Sequence, residues 1–312
     1  MAGRPNLFLR TPVTFTFGAC MAFFKKFSRR PSALVAYTVV GAYTLALAGL
    51  YLRQRELLYR APRANQCADH PTEVVPKCSL GPTLHGWVDN PGQANALIYF
   101  GGSSESVELR RQALAQAFPN HTRYFVPYRG FWPNRPKKTK DAQEKQSNRV
   151  LKSVEADIKS DARRTFACIA KLHDNVDVLG RSLGTGVALH VAAHENVRRL
   201  GLITPYDSII DIAQSRYKWM PVKYMLRDRF ESWRDAMKVR APIFAILAET
   251  DPVTPHKCWE NLKRHLNTTV GVATAPNTDH SNIVESPVTW NELQNFFNNG
   301  VISSPKINTP KR

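Results

Sequence analysis

The sequence predicts an α/β protein in which a mostly parallel sheet carries helices on both faces and follows one N-terminal transmembrane helix. Three observations predict it. Beyond residue 84, short apolar runs alternate with longer amphipathic stretches; a serine between two glycines follows one of these runs; and a long uncharged segment lies near the N-terminus. The 312 residues, 43% of them hydrophobic, suffice for the core of one large domain.

The uncharged segment runs from Ser32 to Leu52, and its 21 residues are about the length needed to cross a hydrocarbon core of ~30 Å. A cleaved signal peptide has a shorter apolar region, and a buried core helix is disfavoured because the segment is apolar all round and stands outside the α/β pattern that follows. An organellar transit peptide stays an alternative for residues 1–30, which are basic and contain no acidic residue. We expect a single-pass anchor, with the basic cluster at 25–30 cytoplasmic and the main domain on the non-cytoplasmic side.

This anchor divides the sequence into five predicted segments. They are a basic leader (1–31), the transmembrane anchor (32–52), a juxtamembrane linker (53–83), an α/β catalytic domain (84–300) and a flexible basic tail (301–312).

Net charge and the absence of certain motifs indicate which partners and cofactors to expect. The 43 Lys and Arg residues against 25 Asp and Glu residues give a formal charge of +18. Without zinc-finger spacing, heptads or an RNA-binding aromatic motif, this charge predicts a solvated basic surface, facing anionic lipid, and no nucleic-acid partner. The sequence has no C-x-x-C pair and no dinucleotide fingerprint, so we expect neither a metal nor a cofactor.

Two features depend on the compartment. Cys67 and Cys78 close a small disulfide loop in an oxidising compartment or otherwise remain thiols, and the sequence leaves both open. The Asn-x-Thr sequons at Asn120 and Asn267 matter only if the chain enters a eukaryotic secretory route.

Six apolar runs predict the buried strands of the sheet. They lie at 95–102, 122–130, 176–180, 200–205, 242–249 and 268–274. An amphipathic helix is predicted within 148–173, and the basic stretch at 132–149 is predicted to be an exposed excursion before it.

Ser182 is the candidate nucleophile. It directly follows the predicted strand at 176–180, precedes a predicted helix, and stands between Gly180 and Gly184 in a Gly-x-Ser-x-Gly pattern. A nucleophile elbow needs small residues at these two positions because the serine sits in a strained turn and its neighbours pack closely. The context therefore predicts a reactive serine at the carboxyl end of a central strand.

A serine hydroxyl needs a base, and the chain order expected on such a sheet is Ser, then an acid, then His. Asp251 follows the strand at 242–249, and His280 follows the last strand. His280 is predicted to accept the proton of Ser182, and Asp251 to hold the imidazole in the required tautomer. Glu249 and Asp279 are the alternative acids.

Backbone amides must also stabilise the developing oxyanion, at about 3–4 kcal/mol for each donor. The amide of Leu183, directly after the nucleophile, is one candidate. The other is the amide of Ser103, which follows Gly101 and Gly102 after the first core strand; a plain glycine turn is the alternative for that loop.

Two other groups of side chains could have a functional role, but ordinary packing explains each of them as well. His190 and His194 have the i, i+4 spacing of a metal pair, but a helix-surface or core role is favoured because no glutamate base lies between them. The aromatic and Met residues between Pro205 and Pro242 either line an apolar acyl pocket or, as is more common, simply pack. These residues are Tyr206, Tyr217, Trp219, Met220 and Trp233.

The motifs LLYRAP, YFGGSSE, YRGFWPNRP, GRSLGTGVALHVAA and LITPYDSIIDIA resemble the α/β-hydrolase superfamily over about residues 84–300. More narrowly, they resemble small membrane-anchored serine hydrolases, whose bacterial members are labelled peptidase-like and whose eukaryotic relatives include protein depalmitoylases. The resemblance implies the α/β-hydrolase fold. It also assigns the nucleophile, acid and base to Ser182, Asp251 and His280, and the oxyanion donors to Ser103 and Leu183.

The sequence departs from that group at two places near the site. Gly101-Gly102 stands where the loop usually begins with His-Gly, and a long basic stretch replaces the short turn after YRGF. We expect hydrolysis of an ester or thioester in a small or acylated substrate near the membrane. A peptidase with the same residues and a catalytically silent scaffold are the alternatives.

Overall fold

The computed structural model describes residues 31–61, 70–76, 81–135 and 154–300 of the chain. The chain divides into two compact units, Met1–Leu52 and Arg53–Arg312. The predicted exposed excursion lies largely outside the described residues, and so do Cys67, Cys78, the basic leader and the C-terminal tail.

Helix α1, Pro31–Leu58, begins in the first unit and ends in the second. From Ser32 to Leu58 it is long and apolar enough to cross a membrane, which holds for no other helix of the described residues. Most of its apolar side chains in the first unit are exposed. A secretory signal near the N-terminus would meet the same criterion of length and composition.

Over its described residues, the second unit contains eight strands and most of the helices. The strands are β1 (Thr72–Val75), β2 (Leu84–Asp89), β3 (Asn95–Phe100), β4 (His121–Phe125), β5 (Asn175–Arg181), β6 (Leu200–Ile203), β7 (Ile243–Ala248) and β8 (Val270–Ala275). The further α-helices are α2 (Arg111–Ala117), α3 (Glu155–Ile169), α4 (Leu183–His194), α5 (Ile209–Arg216), α6 (Val222–Met225), α7 (Ser232–Ala236), α8 (His256–Lys263) and α9 (Pro287–Asn299). Short 3-10 helices occupy Val107–Arg110 and Ile283–Glu285.

The strands form one sheet in the order β1-β2-β4-β3-β5-β6-β7-β8. All pairs from β4 to β8 are parallel, whereas β1 and β2 add an antiparallel edge. The prediction of a mostly parallel sheet is therefore confirmed. Parallel pairing brings the carboxyl ends of β3, β5, β7 and β8 to the same edge of the sheet.

Alternate residues of the central strands face two separate cores. In β7, Ile243, Ala245 and Leu247 pack into one core, and Phe244, Ile246 and Ala248 pack into the other. The first core includes side chains of α3 and α4, and the second includes side chains of α2 and α9. Helices thus cover both faces of the sheet, which explains why the strands are continuously apolar.

All six predicted strands are present, but the N-terminal edge of the sheet differs from the expectation. The range predicted as a linker, 53–83, contains the end of α1 and the whole of β1, and β2 begins at Leu84. Neither of these two antiparallel strands is a continuous apolar run: β1 reads TEVV, and β2 reads LHGWVD. Asn134, predicted to lie in an exposed excursion, is instead buried. Its side-chain amide is satisfied there by donating to the carbonyls of His85 and Pro127.

Candidate active site

Ser182 lies in the sharp turn that joins β5 to α4. Its φ of 50° is in the left-handed region that a residue with a side chain rarely adopts. A methyl group on Gly184 would lie 2.0 Å from the carbonyl oxygen of Phe100, and one on Gly180 would lie 2.4 Å from that of Gly184. Strand, turn and helix therefore pack so closely that only glycine fits at these two positions.

The side chains of Ser182, His280 and Asp251 form a continuous hydrogen-bonded chain. Ser182 Oγ is 2.9 Å from His280 Nε2, and His280 Nδ1 is 2.8 Å from Asp251 Oδ2. Because an ionised carboxylate only accepts, Nδ1 carries the proton and Nε2 is left to accept the hydroxyl proton of Ser182. The structure thus brings the three predicted residues together in the arrangement that general-base activation requires.

Asp251 is held by the turn that follows it. Its Oδ1 accepts the amides of Val253 at 2.8 Å and Thr254 at 2.7 Å, and the Thr254 hydroxyl donates to Oδ2 at 2.9 Å. Burial by itself would raise the pKa of Asp251, but the hydrogen bonds from His280 and Thr254 bring this pKa below its ordinary value. The carboxylate therefore stays ionised beside the imidazole.

The two alternative acids have other partners. Glu249 Oε2 accepts the amide of Asn277 at 2.7 Å, and Asp279 Oδ1 accepts the amides of Ser281 and Asn282. Both carboxylates stabilise the loops that carry Asp251 and His280. Of the three acids considered, Asp251 is the one hydrogen-bonded to the His280 ring.

The loop after β3 is fixed from two sides. Glu105 Oε2 accepts the amide of Gly102 at 2.8 Å, and the Tyr128 hydroxyl donates to the carbonyl of Gly101 at 2.8 Å. A methyl group on Gly102 would lie 3.6 Å from the Cβ of Ser182, so the loop runs directly beside the serine. Ser103 is the next residue along this loop.

Leu183 is the first residue of α4, which begins directly after Ser182. The amides at the start of a helix lack intrahelical acceptors and carry partial positive charge, so this terminus favours an anion. The two segments predicted to supply oxyanion donors, at Leu183 and at Ser103, thus both lie next to Ser182.

A buried ion pair joins three of these segments. Arg181 Nη1 is 3.2 Å from Glu105 Oε2, and Arg181 Nη2 donates to the carbonyl of His280 at 2.9 Å. Arg110 also contacts Glu105, at 2.8 Å. Burial acts to raise the pKa of Glu105, but the charges of Arg181 and Arg110, with the Gly102 amide, lower it overall. The pair therefore links the turn at Ser182, the loop after β3 and the loop that carries His280.

Sequence reasoning missed Glu105, Arg181 and Thr254. An arginine inside the Gly-x-Ser-x-Gly pattern, next to an otherwise apolar strand, is a signal for a buried ionic partner. That partner is 76 positions away in sequence, so it becomes evident only when β3 and β5 pair. Thr254 gives no comparable signal.

Another cluster has the composition of a metal site. His190, His194 and Asp235 offer ligand atoms that all lie within 4.8 Å of one another. However, the Lys159 ammonium lies 3.3 Å from Asp235, and His194 Nδ1 donates to the carbonyl of His190 at 2.8 Å. The ammonium already supplies the positive charge that a metal would bring, so the cluster fits an ordinary ionic contact better.

The aromatic residues between Pro205 and Pro242 separate into two sets. Tyr206 is fully buried and donates to the carbonyl of Leu183 at 3.3 Å, and Trp233 stacks on His265. Tyr217 and Trp219, by contrast, are exposed. Some of these side chains are packed inside the domain and others are exposed, so together they do not form the single apolar pocket that the sequence allowed.

In sequence, the chain is similar to two proteins of Mycobacterium tuberculosis. No family model matches the chain. It is 24% identical over 241 residues to an uncharacterised protein of Mycobacterium tuberculosis, a match that covers 74% of this chain and 80% of the relative. A second strain of that species has a protein that is 24% identical over 242 residues.

Solved structures share the fold at low sequence identity. An esterase from Pyrococcus furiosus has a TM-score of 0.54 at 13% identity, over 75% of this chain and 93% of its own. A hydrolase from Pseudomonas aeruginosa has a TM-score of 0.54 at 15% identity, over 74% and 100%. An α/β hydrolase from a deep-sea metagenome of the Medee basin has a TM-score of 0.51 at 15% identity, over 69% and 94%. The chain therefore has the α/β-hydrolase fold predicted from its sequence.

Proposed function

We propose that the protein is a membrane-anchored serine hydrolase that cleaves an ester or thioester bond through an acyl-enzyme intermediate. The observation that carries the proposal is the hydrogen-bonded chain from Ser182 through His280 to Asp251, with the serine at a left-handed φ. The fold shared with solved esterases and hydrolases supports the same reaction class.

In the proposed reaction, Ser182 Oγ attacks the carbonyl carbon of the substrate while its proton moves to His280 Nε2. The imidazolium that forms is stabilised by the ionised carboxylate of Asp251, which also fixes the orientation of the ring. His280 then donates the proton to the departing alcohol or thiol, which leaves the acyl group on Ser182. Water, activated by the same imidazole, releases the acid and restores the serine.

The carbonyl oxygen gains negative charge in each of these two steps. The amides of Leu183 and Ser103 are proposed to bind it, at about 3–4 kcal/mol for each donor. The support for these two donors is the position of their segments on either side of Ser182, at the start of α4 and beside the nucleophile.

Ester or thioester substrates rank above peptides in this proposal. The fold is shared with an esterase, and the sequence shows no carboxylate pair for holding the N-terminus of a peptide. The proposed anchor, Ser32–Leu52, would hold the domain beside lipid-attached acyl groups. The proposed localisation is a single-pass membrane protein with its catalytic domain on the non-cytoplasmic side.

Labelling with a fluorophosphonate probe tests the nucleophile, because the probe reacts with activated serines. We expect an adduct on Ser182, located by peptide mass spectrometry, that disappears in Ser182→Ala and in His280→Ala. Ser281→Ala is the matched control, since it removes an exposed serine adjacent to the histidine, and it should label like the wild type.

Absence of an adduct on the folded wild-type protein would contradict the proposal and favour a silent scaffold. If the adduct forms, the rates of hydrolysis of ester, thioester and peptide substrates that share the same acyl group rank the three bonds by how fast the protein cleaves them. Faster cleavage of the peptide would replace the esterase with a peptidase that uses the same residues.

A further inference from the structure

The segment 216–227 has an unusual surface composition. It contains four basic residues and no acidic residue, and three of its aromatic residues are exposed. Tyr224 is 84% exposed and Trp219 is 57% exposed. We call this set the aromatic-basic surface; its members are Arg216, Tyr217, Lys218, Trp219, Lys223, Tyr224 and Arg227, all of them exposed.

The segment is attached firmly to its domain. Its own Met220 and Val222 are buried, and the Ser208 side chain caps the preceding helix α5 by accepting the amide of Asp211. The aromatic-basic surface is therefore presented by a fixed backbone, with apolar anchors inward and aromatic and basic side chains outward.

Residues 54 and 55 hold the end of the same segment. Gln54 bonds both sides of Leu226: its Nε2 donates to the carbonyl of Met225 at 3.2 Å, and its Oε1 accepts the amide of Arg227 at 2.7 Å. Arg55 donates to both carboxylate oxygens of Asp228, at 2.9 and 3.2 Å. Gln54 follows Leu52, the end of the proposed anchor, by two residues, a helical rise of about 3 Å.

We infer that the aromatic-basic surface contacts the headgroup layer of an anionic lipid bilayer. Trp and Tyr favour this layer because their rings are amphipathic, and each Lys or Arg near anionic lipid contributes about 1 kcal/mol of attraction. The short chain distance to the anchor favours the bilayer over a soluble acidic partner. The inference rests on the proposed anchor, but not on the proposed chemistry at Ser182.

Quenching of tryptophan emission tests the contact. The full chain is placed in nanodiscs of phosphatidylcholine and phosphatidylserine, with or without lipid brominated near the headgroup. We expect bromolipid to quench the wild type and most of that quenching to disappear in Trp219→Phe. Trp233→Phe is the control, because Trp233 stacks on His265 outside the segment, and it should retain the quenching.

Charge reversal tests the basic side chains. We expect Lys218→Glu with Lys223→Glu to reduce the quenching in discs that contain phosphatidylserine. Lys171→Glu with Lys263→Glu changes the net charge equally at exposed positions outside the segment and should have no effect.

Equal quenching in the wild type, Trp219→Phe and Trp233→Phe would overturn the inference and leave the surface to a soluble partner. A chain that does not co-purify with the discs would overturn both the anchor and this inference. Fluorophosphonate labelling of Ser182 reports separately on the chemistry, so the two failures are distinguishable.

Discussion

Two histidine–aspartate pairs lie on different parts of the same domain and have different surroundings. His280 is 2.8 Å from Asp251, and His190 is 3.1 Å from Asp235. At the first pair the other ring nitrogen meets a serine in a strained turn, whereas at the second the carboxylate is shared with the Lys159 ammonium. The comparison teaches that a His–Asp contact does not by itself indicate catalysis, because the groups around the pair differ between the two places.

Removing the histidine from each pair should give the largest contrast. His280→Ala removes the proposed general base, and we expect kcat to fall by about 10⁶-fold, the size of loss found when the histidine of such an arrangement is removed. His190→Ala should leave kcat unchanged, because the His190 ring contacts Asp235, whose carboxylate also pairs with the Lys159 ammonium. Steady-state hydrolysis of an ester substrate measures both. A comparable loss in the two variants would contradict the distinction.

The aspartates should differ in the same direction with a smaller effect. Asp251→Asn keeps the size of the side chain but favours the wrong imidazole tautomer, so we expect kcat to fall about 10⁴-fold. Asp235→Asn should retain activity and lose stability, because the Lys159 ammonium loses a charged partner. Kinetics and thermal unfolding on the same preparations separate the two outcomes.

The buried pair of Arg181 and Glu105 sharpens the contrast, since it belongs to the first site. Arg181→Met removes the contacts to Glu105 and to the His280 carbonyl, and we expect kcat to fall about 10²-fold through misplacement of the loops. The free energy of unfolding should fall by about 3 kcal/mol, near the lower end for a broken buried pair, because Arg110 still contacts Glu105.

Arg181→Lys is the matched variant for this prediction. It keeps the charge but lacks the forked guanidinium that reaches two acceptors, so it should regain more stability than activity. If kcat and KM were both unchanged in Arg181→Met, the pair would have no positioning role.

Acid should affect stability through Glu105. Its pKa in the folded protein is lower than the ordinary 4.5, so the stabilisation is present above that value and is lost as the pH falls through the lowered pKa. Melting temperatures across a pH series should therefore fall below about pH 4.5 in the wild type and fall less steeply in Glu105→Gln. Parallel curves for the two proteins would contradict the contribution of Glu105.

The sequence predicted the central strands because each is buried on both faces and is therefore a run of apolar residues. It did not predict β1 and β2, because neither is a continuous run of apolar residues: β1 has only four residues, and β2 contains His85 and Gly86. A methyl group on Gly86 would lie 2.3 Å from the carbonyl oxygen of Phe125, a close approach that no local pattern reveals.

Within the site, the local pattern around Ser182 was enough to predict a strand–turn–helix, and chain order was enough to select Asp251 and His280. Their hydrogen bonds needed the structure, and their roles in catalysis remain predictions. The contact of Arg181 with Glu105 could not be predicted, because it depends on the pairing of two strands that are distant in sequence.

The contacts that residues 54–59 make with the rest of the domain determine where the chain can be shortened. Gln54 and Arg55 bond the segment at 225–228, and the buried ring of Tyr59 lies edge-on to that of Phe230. A truncated form that starts at Arg53 would discard the apolar part of α1 and keep all of these contacts. A start at Arg60 would leave Asp228 buried without Arg55 and would open the core beside Phe230, so seven residues separate a truncated domain that keeps its packing from a damaged one.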